Sequence, residues 1–125
     1  MSDMPSSPLV SFVPTPIGNL ADITLRGLET LRSADLIACE DTRHSRKLLN
    51  HYEIEKPLIS LHDHNEARRV PEILRKASQG QHIAVISDAG TPCLSDPGHR
   101  LLRACIQEEV SYQVLPGPSA ITTAL

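Results

Sequence analysis

Val85-Ile86-Ser87-Asp88-Ala89-Gly90-Thr91-Pro92-Cys93-Leu94-Ser95-Asp96-Pro97-Gly98 is a short apolar run that breaks into a loop dense in Gly, Pro, Ser, Thr and Asp. Residues 82–86 supply the β-branched apolar core of a buried strand, and Asp96 followed by Pro97 has the form of an N-cap and first helical residue. The loop is therefore clamped between a strand and a helix. Gly90 lets backbone approach a ligand closely, Pro92 and Pro97 restrict the loop, and Asp88 with Thr91 offers hydrogen-bonding groups. In open α/β sheets ligands bind outside the carboxyl ends of the strands. The plainer alternative is a strand-to-helix connection whose Asp and Ser residues only make turns.

The same grammar recurs on either side. Residues 9–13 read as a first strand, ended by Pro14-Thr15-Pro16-Ile17-Gly18-Asn19, where two prolines and Gly-Asn call for a tight, stiff loop. Asp22 or Thr24 can cap a helix that turns Leu25, Leu28 and Leu31 inward and Arg26, Glu29 and Arg32 to water, with Gly27 permitting close packing on a sheet. Leu36-Ile37-Ala38-Cys39 is a continuous apolar run, as in a strand buried on both faces, and it ends in Glu40-Asp41-Thr42-Arg43. A short helix over 43–51 buries Leu48 and Leu49, and a third strand over 58–61 delivers His62-Asp63-His64-Asn65-Glu66. A helix over 65–79 gathers Ala67, Val70, Ile73, Leu74 and Ala77 on one face and stops at Gly80, with Pro71 predicting a kink or a late start. The central strand and loop follow, then a helix over 97–107 burying Leu101, Leu102 and Cys105, then a strand over 111–115 closed by Pro116-Gly117-Pro118-Ser119.

Five strands alternating with four helices predict an α/β fold with a mostly parallel five-stranded sheet, helices on both faces and right-handed crossovers. The expected domain runs over 9–118, after a polar, Pro-rich tip at 1–8 that carries no apolar leader and is expected to be disordered. Residues 119–125 are apolar and helix-compatible, and are expected to lead into a second domain outside this chain.

Composition narrows the function classes. A net charge of -3 gives no global pull toward nucleic acid, so an RNA partner would have to meet a local basic face. The candidates are Arg43, Arg46 and Lys47, then Arg68, Arg69, Arg75 and Lys76; the alternative is that these are the solvated sides of two amphipathic helices. Cys39, Cys93 and Cys105 are odd in number and widely spaced, which suggests neither a disulfide framework nor a zinc site and fits a reducing cytoplasm. His62 and His64 lack a third ligand at metal-site spacing, and no metal is expected. No apolar run is long enough to span a membrane as a helix.

Taken in order, Pro14-Thr15-Pro16-Ile17-Gly18-Asn19-Leu20, Asp22-Ile23-Thr24-Leu25-Arg26, Cys39-Glu40-Asp41-Thr42-Arg43, His62-Asp63-His64-Asn65-Glu66, Ser87-Asp88-Ala89-Gly90-Thr91-Pro92 and Leu115-Pro116-Gly117-Pro118-Ser119-Ala120 resemble the tetrapyrrole-methylase-like, class III S-adenosylmethionine methyltransferases. Within that superfamily they look like the branch that acts on ribosomal RNA. The resemblance implies methylation of a cytidine ribose 2'-hydroxyl in 16S rRNA of the small ribosomal subunit, by a homodimer of two-domain cytoplasmic subunits, this chain being the amino-terminal domain. It implies S-adenosylmethionine as cofactor and carries cofactor contacts onto Ile17, Asp88, Ala89, Gly90, Thr91, Ser119 and Ala120.

The chemistry suits those residue types. The cofactor asks for apolar walls, backbone hydrogen bonds and some carboxylate, and the absence of Gly-x-Gly-x-x-Gly argues against a dinucleotide. Transfer to a ribose hydroxyl needs the oxygen held near attack distance and its proton removed as charge develops. Candidate bases or positioning groups are Glu40, Asp41, His62 and His64, with Arg43 a partner for an RNA phosphate or for Asp41. The alternative for Glu40-Asp41-Thr42-Arg43 is a helix-capping loop with a local ion pair. Two other functions remain open: the same fold acting on a tetrapyrrole or other small molecule, and a non-catalytic nucleotide- or RNA-binding module.

Overall fold

The apolar runs at 10–13, 36–39 and 83–86 are wholly buried because each lies between two partner strands. The computed structural model describes residues 8–15, 23–86 and 98–116. In chain order these form β1 (Val10–Val13), α1 (Leu25–Ser33), β2 (Leu36–Cys39), α2 (Thr42–His51), β3 (Leu58–Ser60), α3 (Glu66–Ser78), β4 (Ile83–Ile86), α4 (Gly98–Gln107) and β5 (Tyr112–Val114). The five strands make one sheet in the order β3-β2-β4-β1-β5, and every pairing is parallel. The expected α/β architecture is the one observed.

Alternation along the strands divides the core into two layers. Val13, Ile37, Cys39, Ala84 and Ile86 face Leu28 and Leu31 of α1 and Leu48 and Leu49 of α2. Val10, Phe12, Leu36, Ala38, Ile83 and Val85 face Val70, Ile73 and Ala77 of α3 and Leu101 and Cys105 of α4. With α1 and α2 on one face and α3 and α4 on the other, neighbouring strands β2, β4 and β1 send their chains to alternate faces. In open α/β sheets ligands bind at the carboxyl edge beside such reversals.

The helix ends follow their side chains. Thr24 caps α1 by accepting the Gly27 N–H at 3.0 Å, while Asp22 lies outside the described residues. A Cβ on Gly27 would stand 3.1 Å from Thr24 Oγ1 and 3.3 Å from Val13 Cγ1, so the helix lies close on the sheet there, as expected. Gly80 ends α3 with φ 95°, its N–H bonded to Ala77 O at 2.9 Å. The predicted cap at Asp96 and Pro97 lies outside the described residues.

Two inward assignments need correction. Leu25 is 80% exposed, because a period of three drifts on a 3.6-residue helix and the buried stripe of α1 is Gly27, Leu28, Thr30 and Leu31. On α3 Ala67 is exposed and Glu66 is buried in its place, beside Val70, Ile73 and Ala77. The helix also starts at Glu66 with Pro71 inside it, so the late start offered by Pro71 is not taken.

One buried polar cluster was not anticipated. Ser11, fully buried in β1, meets His82 Nε2 at 2.8 Å and accepts from Gln113 Nε2 at 2.9 Å. The cluster satisfies a hydroxyl that an apolar layer would otherwise strand.

Candidate active site

The carboxyl edge of the sheet collects the segments singled out above. β2 ends in Glu40 and Asp41, and β3, paired to it with Cys39 opposite Ser60, ends in Leu61 and then His62 to Glu66. β2 also pairs with β4, Ala38 opposite Val85, and β4 pairs with β1, Ile86 opposite Val13. Strand spacing of about 4.8 Å puts the end of β2 one step from β4 and the end of β3 two steps, about 10 Å, away. Glu40, half-buried, thus follows the strand next to β4, and His64 follows the strand one further out. Among the described residues this edge unites Glu40, Asp41, Arg43, His62 and His64. Ile17, Asp88, Ala89, Gly90, Thr91, Ser119 and Ala120 lie outside the described residues.

Asp41 acts as a cap. Its Oδ1 accepts from the N–H groups of Arg43 at 2.9 Å and His44 at 3.4 Å, opening α2. Those two backbone bonds hold its carboxyl below the ordinary value of 3.8, with Arg43 and His44 adding smaller attractions. Arg43 meets Asp41 through its backbone, and its guanidinium forms no ion pair among the described residues. A carboxylate whose charged form is stabilised in the fold contributes stability above its unfolded pKa and loses it as pH falls through the folded one. The melting-temperature gap between wild type and Asp41→Ala is therefore expected to be full at neutral pH and to close below pH about 3.8. A gap that persisted at that acidity would assign the cap to something other than the charge.

The turn after β3 is built by Asn65. Its Oδ1 accepts the His62 N–H at 2.8 Å, and its Nδ2 donates to Ser60 O at 3.2 Å and Ser60 Oγ at 2.9 Å. It occupies the N-cap position of α3 without a side-chain cap bond, and its side chain ties the turn to β3 instead. Arg69 Nε adds a bond to Ser60 O at 2.9 Å. Inside the turn the His64 N–H donates to His62 Nδ1 at 3.2 Å, which requires that nitrogen to be unprotonated. The two imidazoles stand 5.9 Å apart, centroid to centroid, with His64 exposed and His62 half-buried.

Glu66, the next residue, is the functional-edge group that sequence reasoning passed over. Its Oε1 pairs with Arg100 Nε of α4 at 3.2 Å, and its Oε2 is buried with no hydrogen-bond partner among the described residues. It ties the turn after β3 to the first turn of α4, and thereby to the helix that the central loop feeds. An acid in the first turn of a helix reads in sequence as an exposed dipole partner, so nothing local signalled its burial.

Fit to an S-adenosyl cofactor is judged at the adjoining carboxyl ends of β1 and β4. The apolar ends of these strands, Val13 and Ile86, are paired in parallel and both buried, and the helices next in sequence, α1 and α4, pack on opposite faces of the sheet. Strand ends of this kind offer apolar surface beside backbone edges, the surroundings a nucleoside lacking phosphate needs. A groove of about 550 Å³ between α3 and α4, lined by Leu74, Ser78, Gln107 and Glu108, lies toward the far ends of those helices and away from this edge. No group of three or more His, Cys, Asp or Glu suited to a metal occurs among the described residues. No helix there is long and apolar enough to cross a membrane.

A family model for Tetrapyrrole (Corrin/Porphyrin) Methylases matches residues 9–125. Proteins named Ribosomal RNA small subunit methyltransferase I are similar to this chain: that of Escherichia coli O157:H7 is 55% identical over 113 residues, 90% of this chain and 40% of its own length. That of Thermotoga maritima is 50% identical over 113 residues, 90% of this chain and 51% of its own. The chain therefore spans about half or less of the length of these curated relatives. Among solved structures, cobalt precorrin-4 methyltransferase CbiF, a cobalamin biosynthetic enzyme, superposes with TM-score 0.69 at 18% identity, covering 87% of this chain and 46% of that one. Uroporphyrin-III-C-methyltransferase from Thermus thermophilus gives 0.64 at 20% identity, covering 87% and 44%. These likenesses establish the fold.

Proposed function

Since the chain belongs to the tetrapyrrole (corrin/porphyrin) methylase family, we propose that it is the cofactor-binding, amino-terminal part of an enzyme that methylates the ribose 2'-hydroxyl of a cytidine in 16S rRNA. The observation that carries the reading is identity of 55% over 90% of the chain to a protein named for small-subunit rRNA methylation. The bound S-adenosylmethionine supplies an electrophilic methyl group. The residues that would hold it are Ile17 after β1, Asp88 to Thr91 after β4, and Ser119 with Ala120 after β5, and Asp88 would accept a hydrogen bond from it or offset its positive charge.

Glu40, half-buried at the end of β2 beside β4, is the carboxylate best placed to orient the ribose hydroxyl and take its proton. His64 in the Asn65-built turn orients the nucleotide, and Arg43 meets a phosphate. Asp41 serves by fixing the start of α2, since its carboxylate is engaged by backbone N–H groups. Orientation supplies most of the rate, for which effective molarity can offset roughly 7 to 11 kcal/mol of barrier. The complete enzyme works in the cytoplasm as a homodimer of two-domain subunits.

The test gives the full gene product S-adenosylmethionine with labelled methyl and either undermethylated small ribosomal subunits or a porphyrinoid acceptor. The expected product is 16S rRNA in which one cytidine resists alkaline cleavage at its 3' side, because a methylated 2'-oxygen cannot attack the phosphate. Asp88→Ala is expected to weaken S-adenosylhomocysteine binding at least tenfold by calorimetry. Label on the porphyrinoid would return the protein to the chemistry in its family's name, and label on a base would remove the ribose assignment.

A further inference from the structure

α2 carries an unusual charge pattern for a protein with net charge -3. Its sequence, Thr-Arg-His-Ser-Arg-Lys-Leu-Leu-Asn-His, contains no acid. At about 100° per residue, Arg43, Arg46, Lys47 and Asn50 fall within one arc of about 100°, directly opposite the buried Ser45, Leu48 and Leu49. All four are exposed, and His44 and His51, also exposed, border them on one side. None of the three cations forms an ion pair among the described residues; Arg46 makes only a long bond, 3.5 Å, to Lys56 O. The adjoining acid Asp41 is turned to the helix N–H groups, and Glu53 and Glu55 follow beyond the helix end.

The other helices do not repeat this. α1 has Glu29 among its outward residues, and α3, whose Arg68, Arg75 and Lys76 form no ion pair among the described residues, interrupts its basic side with Glu72, held against Arg69 at 2.9 Å. α4 also lacks acids, but its Arg100 is drawn to Glu66 at 3.2 Å. The two basic helices read from sequence lie on opposite faces of the sheet, α2 with α1 and α3 with α4, so they are separate surfaces. Of the two, α2 begins at the Glu40-Asp41 end of β2 and runs outward from the site along a line about 10 Å long from Arg43 to Asn50.

We propose that the outward face of α2, formed by Arg43, Arg46, Lys47 and Asn50, is a docking surface for the phosphates of the RNA whose nucleotide enters the carboxyl edge of the sheet. The inference rests on the rRNA reading above for its partner, and on α2 itself for its place. Unpaired cations on a stiff element contact phosphates without reading sequence, and each contact releases counterions. The surface holds the RNA in register while the strand-end groups act on one ribose.

The experiment uses the full gene product and undermethylated small ribosomal subunits, with binding measured over a salt series and methyl transfer measured alongside. Arg46→Gln with Lys47→Gln on α2 is compared with Arg68→Gln with Arg75→Gln on α3, an equal loss of exposed charge. The α2 pair is expected to weaken subunit binding about tenfold and to flatten the slope of log K against log salt by about two. S-adenosylhomocysteine affinity and melting temperature should stay at wild-type values, and the α3 pair should bind as wild type. An α2 pair with unchanged affinity and slope, or an α3 pair that loses as much, overturns the proposal. Wild type that binds subunits through α2 but transfers no methyl leaves the surface standing and sinks the enzymatic reading; methyl transfer indifferent to the α2 pair does the reverse.

Discussion

Phe12→Ala is expected to cost about 3 to 5 kcal/mol of folding stability. Phe12 is fully buried in β1, opposite Val85 of β4 and Val114 of β5, in the layer that packs on Leu101 and Cys105 of α4. It is the only Phe in a chain with two Tyr and no Trp, so no other aromatic ring can move in to fill the space. Close packing leaves the cavity largely unrelaxed, and the loss adds a cavity term to the transfer term. Domains of this size are stable by only about 5 to 15 kcal/mol, so the variant should lose much of that margin in a urea titration. Tyr112→Ala, on the half-open edge strand at 40% exposure, is the control and should cost far less. A Phe12→Ala loss below about 1 kcal/mol would mean that β1 is not the packed centre described here.

The strands were legible because burial on both faces leaves a local trace. Leu36 to Cys39 is apolar at every position, and all four residues are buried. Helix faces were legible where the pattern ran for three turns, as from Val70 to Ala77, and failed at helix starts. Leu25 and Ala67 sit in first turns, where the apolar stripe has not yet come to face the sheet. Sheet order left no local trace, since inserting β4 between β2 and β1 depends on contacts far apart in sequence. The same holds for Ser11, whose partners lie 71 and 102 residues away. At the site, the Asp41 cap was legible as one of two readings, whereas the burial of Glu66 depends on Arg100 and α4 reaching it from across the fold.

Asn65→Ala is expected to lower the turnover of the complete enzyme by about 10- to 100-fold while leaving cofactor affinity near wild type. Three bonds vanish with the side chain: one to the His62 N–H and two to Ser60. Their net worth is about 1 kcal/mol each, so stability also falls, by about 2 kcal/mol once partial replacement by water is allowed for. The larger effect is on position, because these bonds set the path of the chain through His62 and His64, and a displacement of about 1 Å can cost 100-fold in rate. Asn65→Asp separates this from a capping role. Asp is as good a helix cap as Asn and keeps the acceptor for His62, but it puts a carboxylate oxygen against Ser60 O where Nδ2 donated. If capping were the function, Asp would be tolerated. If the side chain ties the turn to β3, Asp should lose activity almost as far as Ala does, in single-turnover assays at saturating cofactor. An Asn65→Asp enzyme with wild-type rate would remove His62 and His64 from the list of groups whose placement matters to the reaction.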